Sequence, residues 1–407
     1  MSNLSVVYAG RVVTSPPLED AGIVYEDGTI VAVGTRAALE PTAVGARVMM
    51  DAPDGVITAG LVDAHTHAVF AGSRHDEYAQ RMEGADYEAI AAAGGGIAST
   101  TRAVRAASRD QLAVALVRRL RRMARLGVTT VEVKSGYGLD EATERKQLEA
   151  IAVARGVPGV PDVVPTFLAL HALPEASRHD REGYIRAVVS QTLPAFAAEN
   201  LARFVDCYVD RAAFTVAEAS LVFEAAARAG LGCRLHAGQF ADVGGAALAA
   251  RFGARSVDHM EFATDASLDA LAAAGTAVVL LPVASFTLGQ APPPIARMRD
   301  RGLSLVVASD ANPGTAPTES LQLAMALAVR AYGLTPQEAF AGATVNAARC
   351  LGLADRGALT PGARADFVVW DFPHEGCLAQ PLGAPPARFV VSAGRCLYRD
   401  DDSGFPG

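Results

Sequence analysis

The chain has 407 residues, 51% hydrophobic and 20% charged, which is ample material for a large buried core. That balance excludes intrinsic disorder. A net charge of -8 argues against a sequence-independent nucleic-acid binder, which needs a basic field.

The five cysteines, Cys207, Cys233, Cys350, Cys377 and Cys396, are odd in number and form no CxxC pair. They point to a reducing compartment rather than to a disulfide framework or a thiolate zinc site. The N-terminal residues carry neither the basic nor the apolar segment of a secretory signal. No apolar run reaches the roughly 18 residues of a membrane span. The expectation is a soluble cytoplasmic protein with a small-molecule partner and no nucleic-acid or membrane partner.

In chain order, residues 5–7, 22–25 and 30–33 read as short strands, with Glu26-Asp27-Gly28 as a hairpin turn. From about residue 59 apolar strands alternate with helical pattern. Candidate strands cover 61–66, 128–134, 163–170, 203–207, 232–236, 256–259, 277–281 and 304–309. Helical pattern covers 109–126, 140–155, 215–229 and 241–252, and Thr335, Pro336 and Glu338 form a capping box. Short strands return at 366–370 and 388–391. Eight apolar strands alternating with helices predict a parallel (β/α)8 TIM-like barrel over residues 59–354. The flanking segments, 1–58 and 355–407, are each too small for a core and are expected to pair into one small β-sandwich domain.

The first chemical signal is Asp63-Ala64-His65-Thr66-His67. Positions two apart on a strand face one side, so His65 and His67 would present two imidazoles to one point. His171, His236 and His259 close other predicted strands, and Asp310 follows the eighth. Five of the eight histidines thus fall at the C-terminal barrel face, where active sites are built. Three histidines and a carboxylate make a metal site with an open position for water. His259 suits an oxyanion partner better than a fourth imidazole ligand. His75, His179 and His374 have no such placement and read as ordinary polar residues.

Arg74 lies within loop reach of the first metal strand. Tyr137 sits between Gly136 and Gly138, which permit close ligand approach. Asn312-Pro313-Gly314 reads as a turn. The Gly94-Gly95-Gly96 run lacks the phosphate-loop pattern and reads as a loop near the site.

The order HxH, His, His, Asp, with the closing stretch 357–371, resembles the amidohydrolase superfamily. Within it, several stretches resemble the imidazolonepropionase family. They include Lys134-Ser135-Gly136-Tyr137-Gly138-Leu139, His171-Ala172-Leu173-Pro174 and Asp310-Ala311-Asn312-Pro313-Gly314. The resemblance implies metal-dependent opening of the cyclic amide of 4-imidazolone-5-propanoate to N-formimidoyl-L-glutamate. It implies one Zn2+ or Fe2+/Fe3+ per chain on His65, His67, His236 and Asp310, and a homodimer. It implies substrate contacts from Arg74, Tyr137, His171, Gln239, Asn312, Gly314 and Thr315, with His259, Asp310 and Gln239 catalytic. Some superfamily members bridge two metals with a carboxylated lysine after strand four. Lys134 ends strand two, so one metal is expected, with Lys134 either structural or supporting the ligands from one layer behind them. Gly238 and Ala311 depart from the family pattern, where an acidic and an aromatic residue are more usual. A deaminase on the same scaffold and a barrel kept for protein interaction are the alternatives.

Overall fold

The computed structural model describes residues 3–85, 90, 94–211, 213–383 and 385–400. The chain opens with β1 (Ser5–Val12), β2 (Leu18–Glu26), β3 (Thr29–Thr35) and β4 (Arg47–Ala59). Then come β5 (Leu61–Asp63), β6 (Val128–Lys134), β7 (Asp162–Leu170) and β8 (Phe204–Val209). They are followed by β9 (Gly232–Ala237), β10 (Ser256–His259), β11 (Ala277–Leu280) and β12 (Leu305–Val307). The chain returns through β13 (Phe367–Trp370), β14 (Phe389–Ser392) and β15 (Arg395–Arg399).

Strands β5 to β12 pair in parallel in sequence order, with helices between them: the expected barrel. The seam between its two ends closes beyond the regular strands. Asp310 N–H donates to His65 O at 3.1 Å, and His67 N–H donates to Ala311 O at 3.0 Å. The closing bonds are therefore made by residues of the expected metal site itself.

Strands from both termini form the second sheet, in the order β15-β14-β13-β4-β1-β2-β3. Asp27 and Gly28 both have positive φ, +45° and +83°, as a tight hairpin turn requires. Strand β4 lies outside the strands read from the sequence, and Pro53-Asp54-Gly55 interrupt its pairing with β1. In the structure those residues bulge outward: Ala9 pairs with Ala52, but Arg11 already pairs with Val56. β4 then leads through Gly60 straight into β5, coupling the sheet to the barrel. Trp370 cements that joint. It is fully buried and donates its indole N–H to Thr58 Oγ1 at 2.9 Å. A methyl group on Gly127, which has φ +86°, would stand 2.4 Å from the Trp370 ring.

Other expected elements shift at their ends. Strand β5 stops at Asp63. The helix expected over 241–252 spans only Gly245–Arg251, because the Asp242 carboxylate accepts Gly244 N–H at 3.1 Å and Gly244 has φ +91°. The Thr335 capping box forms as expected. The lower barrel interior is apolar, with Val62, Val164, Phe204, Val279 and Val306 packed on the helix Val345–Cys350.

Candidate metal centre and active site

Three imidazole nitrogens meet at the C-terminal mouth of the barrel. His67 Nε2 lies 3.2 Å from His65 Nε2 and 3.4 Å from His236 Nε2. Asp310 Oδ1 stands 3.5 Å from both His65 Nε2 and His67 Nε2. The second nitrogen of two of these rings is fixed by a buried carboxylate. His65 Nδ1–H donates to Asp258 Oδ2 at 2.6 Å, and His236 Nδ1–H donates to Asp206 Oδ1 at 3.1 Å. Those donations leave Nε2 lone pairs facing one another. Burial holds His65, His67 and His236 well below the ordinary imidazole range, so all three are neutral. Neutral acceptors aimed at one point, beside a carboxylate, fit a cation, and the carboxylate–imidazole pairs are the usual outer support of a metal site.

Beneath the histidines lies a layer of charge. Glu132, Lys134, Asp206, Arg234 and Asp258 are all fully buried. Lys134 Nζ is 2.8 Å from both Glu132 Oε1 and Asp206 Oδ2, and 3.8 Å from Asp258 Oδ2. Arg234 donates to Ala64 O at 2.8 Å and approaches Asp258 Oδ2 at 3.4 Å. Burial works to lower Lys134, but Asp206 and Glu132 outweigh it and raise it, so the lysine is charged. Asp258 is held below the usual carboxylate range: burial opposes this, and Arg234 and Lys134 prevail. Asp206, His236 and Asp258 also cluster tightly enough for a metal. The ammonium of Lys134 already fills that charge role.

Of this layer only Lys134 was singled out from sequence. The available signal was charge at alternate positions inside apolar strands: Glu132 and Lys134 on β6, Arg234 and His236 on β9.

A cavity of about 520 Å³ opens above the histidines. Arg74, Tyr137, His171, Gln239, Asn312 and Thr315 line it, with His67, His236, His259 and Asp310 at its floor. Its size suits a small metabolite.

The structure brings the expected residues together in distinct ways. Arg74 is buried, and its Nε donates to Glu77 Oε2 at 2.8 Å, while Glu77 Oε1 accepts Gly96 N–H at 3.0 Å. Gly314 does not line the cavity but admits this guanidinium: an added Cβ would stand 2.1 Å from Arg74 Nη1. Tyr137 is held by its loop. Glu144 accepts the N–H groups of Gly136, Gly138 and Leu139 at 2.7–2.8 Å, and Gln147 accepts that of Tyr137 at 3.1 Å. His171 donates Nδ1–H to Gly136 O at 2.7 Å, and burial lowers it to about 4, so it is a neutral ring.

Gln239 Oε1 accepts from Tyr208 O–H at 2.9 Å, which leaves its amide N–H groups for the cavity. Asn312 spends its amide on its own turn, accepting Gly314 and Thr315 N–H at 2.8 Å and donating to Asp310 O at 2.7 Å. His259 and Asp310 have left-handed backbone, with φ +85° and +55°, a strain concentrated at functional positions. Burial works to lower His259, yet Glu261, Asp310 and Asp258 raise it. Arg178, Arg211 and Tyr208 also line the cavity, and sequence reasoning passed over all three. A surface arginine and a lining arginine look alike until the loops are folded.

Residues 56–396 match the amidohydrolase family. The chain belongs to that family. Its full-length likeness within it is to imidazolonepropionases. One from Paracoccus denitrificans is 44% identical over 383 residues, 93% of this chain and 95% of that protein. Another from Polaromonas sp. strain JS666 is 46% identical over 378 residues, 92% and 88% of the two chains. Among solved structures, a triazine hydrolase variant aligns with a TM-score of 0.77 at 19% identity, covering 98% of this chain and 95% of the other. A zinc-bound adenosine deaminase from Xanthomonas campestris aligns with a TM-score of 0.69 at 20% identity, covering 96% and 92%. At those identities the structures speak for the fold alone. The chain is thus a hydrolase of a metal-dependent superfamily. Among the described residues no helix is long and apolar enough to cross a membrane.

Proposed function

We propose that the chain hydrolyses the cyclic amide of 4-imidazolone-5-propanoate to N-formimidoyl-L-glutamate, a step of histidine degradation. The observation that carries this is the convergence of three neutral imidazoles and Asp310 beneath a cavity with a buried arginine on its wall, in a chain 44% identical to an imidazolonepropionase. His65, His67, His236 and Asp310 would hold one Zn2+ or Fe2+/Fe3+, a donor set that suits either metal. The metal would supply Lewis acidity at the ring carbonyl and a more acidic water.

The remaining work falls to side chains. Asp310 accepts the proton of the attacking water and returns it to the departing ring nitrogen. His259 donates a hydrogen bond to the carbonyl oxygen as negative charge develops there. Arg74 binds the propanoate carboxylate, held in place by Glu77. Gln239 donates from its amide and His171 accepts at Nε2, gripping the ring, while Tyr137 closes its side. Asn312, Gly314 and Thr315 shape the turn that admits Arg74. Two units complete the proposal: a barrel domain over residues 59–354, and a β domain over 1–58 with 355–407. The protein works as a cytoplasmic homodimer.

The test is to count metal per chain and follow freshly generated 4-imidazolone-5-propanoate with and without a chelator. Metal-dependent formation of N-formimidoyl-L-glutamate is expected. Bound metal with no turnover would overturn the substrate assignment and move the search to other cyclic amides.

A further inference from the structure

Behind His259 lies a buried polar chain that the proposed reaction does not use. β10 ends at His259, and His259 and Met260 both adopt left-handed φ, +85° and +70°. This double turn brings the Glu261 carboxylate to the back of the imidazole. Glu261 Oε2 stands 3.8 Å from His259 Nδ1, and among the described residues neither atom has a hydrogen-bond partner.

The other carboxylate oxygen is firmly held. Ser285 Oγ–H donates to Glu261 Oε1 at 2.6 Å, and Tyr332 O–H donates to Ser285 Oγ at 2.6 Å. Ser285 is buried on the helix Pro282–Leu288, and Tyr332 is buried beyond the helix Leu321–Arg330. Each hydroxyl donates toward the carboxylate, so the donor order is set. Two hydroxyls from separate segments thus brace a carboxylate whose free oxygen faces the free nitrogen of a ring at the cavity floor. A glutamate needed only for packing would have both oxygens satisfied, since an unpaired buried acceptor is costly. A gap of this size closes with a small side-chain adjustment, and such bonds commonly tighten when substrate arrives.

We propose that Glu261 is a positioning residue for His259: its free carboxylate oxygen receives the Nδ1–H and so aims Nε2 at the substrate carbonyl. The catalytic part of this inference rests on the reaction proposed above. Ser285 and Tyr332 keep the carboxylate from rotating away. The logic is that of a carboxylate behind a catalytic imidazole, which sets tautomer and orientation without itself taking up the proton.

The experiment uses the metal-loaded full chain and Glu261→Ala, Glu261→Gln and Tyr332→Phe. Metal per chain, thermal midpoint, kcat and KM are measured for each. Nitrogen-15 spectra of histidine-labelled protein are recorded alongside, with His259→Ala used to assign the His259 signals. Glu261→Ala is expected to lower kcat about 10- to 100-fold with KM and bound metal unchanged, and to shift the His259 Nδ1 signal. Glu261→Gln keeps an acceptor and should recover part of kcat, and Tyr332→Phe should cost least.

The proposal is overturned if Glu261→Ala keeps kcat within about threefold with an unmoved Nδ1 signal. It is equally overturned if kcat, KM, metal and thermal midpoint all fall together, which marks a structural role. Absence of turnover by the unmodified chain would instead count against the proposed reaction. The nitrogen-15 comparison would still decide the Glu261–His259 contact.

Discussion

The two sheets of this molecule bury opposite things. The sheet from the termini encloses Val7, Ile23, Ile57, Phe367, Phe389 and Val391, an apolar core with each side chain contributing about 1.5–3 kcal/mol by burial. The upper barrel encloses Glu132, Lys134, Asp206, Arg234 and Asp258, where desolvation offsets much of the mutual attraction. The first interior only holds a shape. The second gives up stability to aim two imidazoles, through Asp258 on His65 and Asp206 on His236. A buried ionic layer beneath a ring of histidines thus marks orientation as its purpose, since an apolar layer would be the more stable filling.

The sharpest break in that comparison comes from the histidines. His236→Ala is expected to abolish bound metal and activity together, as read by elemental analysis beside turnover. Arg74→Ala should keep the metal and raise KM about 10- to 100-fold, the loss of one charge-assisted contact. Metal loss in the Arg74 variant would defeat this division of roles.

Stability separates the two interiors next. Lys134→Met strips the cation from Glu132 and Asp206 and is expected to cost about 3–5 kcal/mol in denaturant unfolding. Ile57→Val, in the apolar sheet, should cost only about 0.5–1.5 kcal/mol and leave metal content untouched. Equal costs would remove the distinction.

The smallest effect lies at the cavity rim. Arg181 beside Glu218 lowers that carboxyl to about 2. Its folded-state pKa is depressed, so the stabilisation is present above the ordinary glutamate pKa of about 4.3 and is lost as pH falls toward 2. The difference in thermal midpoint between the unmodified chain and Glu218→Gln should therefore be largest near neutrality and narrow in acid. A difference that stays constant with pH would show that the hydrogen bond Glu218 accepts from Thr215 N–H at 2.7 Å, not its charge, matters.

The barrel was legible in the sequence because strand and helix patterns repeat, and each strand end is punctuated locally. His65, His67, His236 and Asp310 were legible because the ends of parallel strands share one face, so order along the chain predicts convergence. What escaped was decided by contacts distant in sequence. β4 is interrupted at Pro53-Asp54-Gly55, and only its pairing with β1 on either side makes it one strand with a bulge. Asp206 and Asp258 carry no local sign of a role, and only the closed barrel sets them against His236 and His65. Glu144 sits in the helix Glu141–Arg155, and the fold turns its carboxylate onto three N–H groups of the Tyr137 loop. The sequence by itself determined the barrel, the terminal sheet and the identity of the converging donors. Only the tertiary structure decided which nitrogen each ring presents, because a tautomer is set by the partner across the barrel and not by neighbours along the chain.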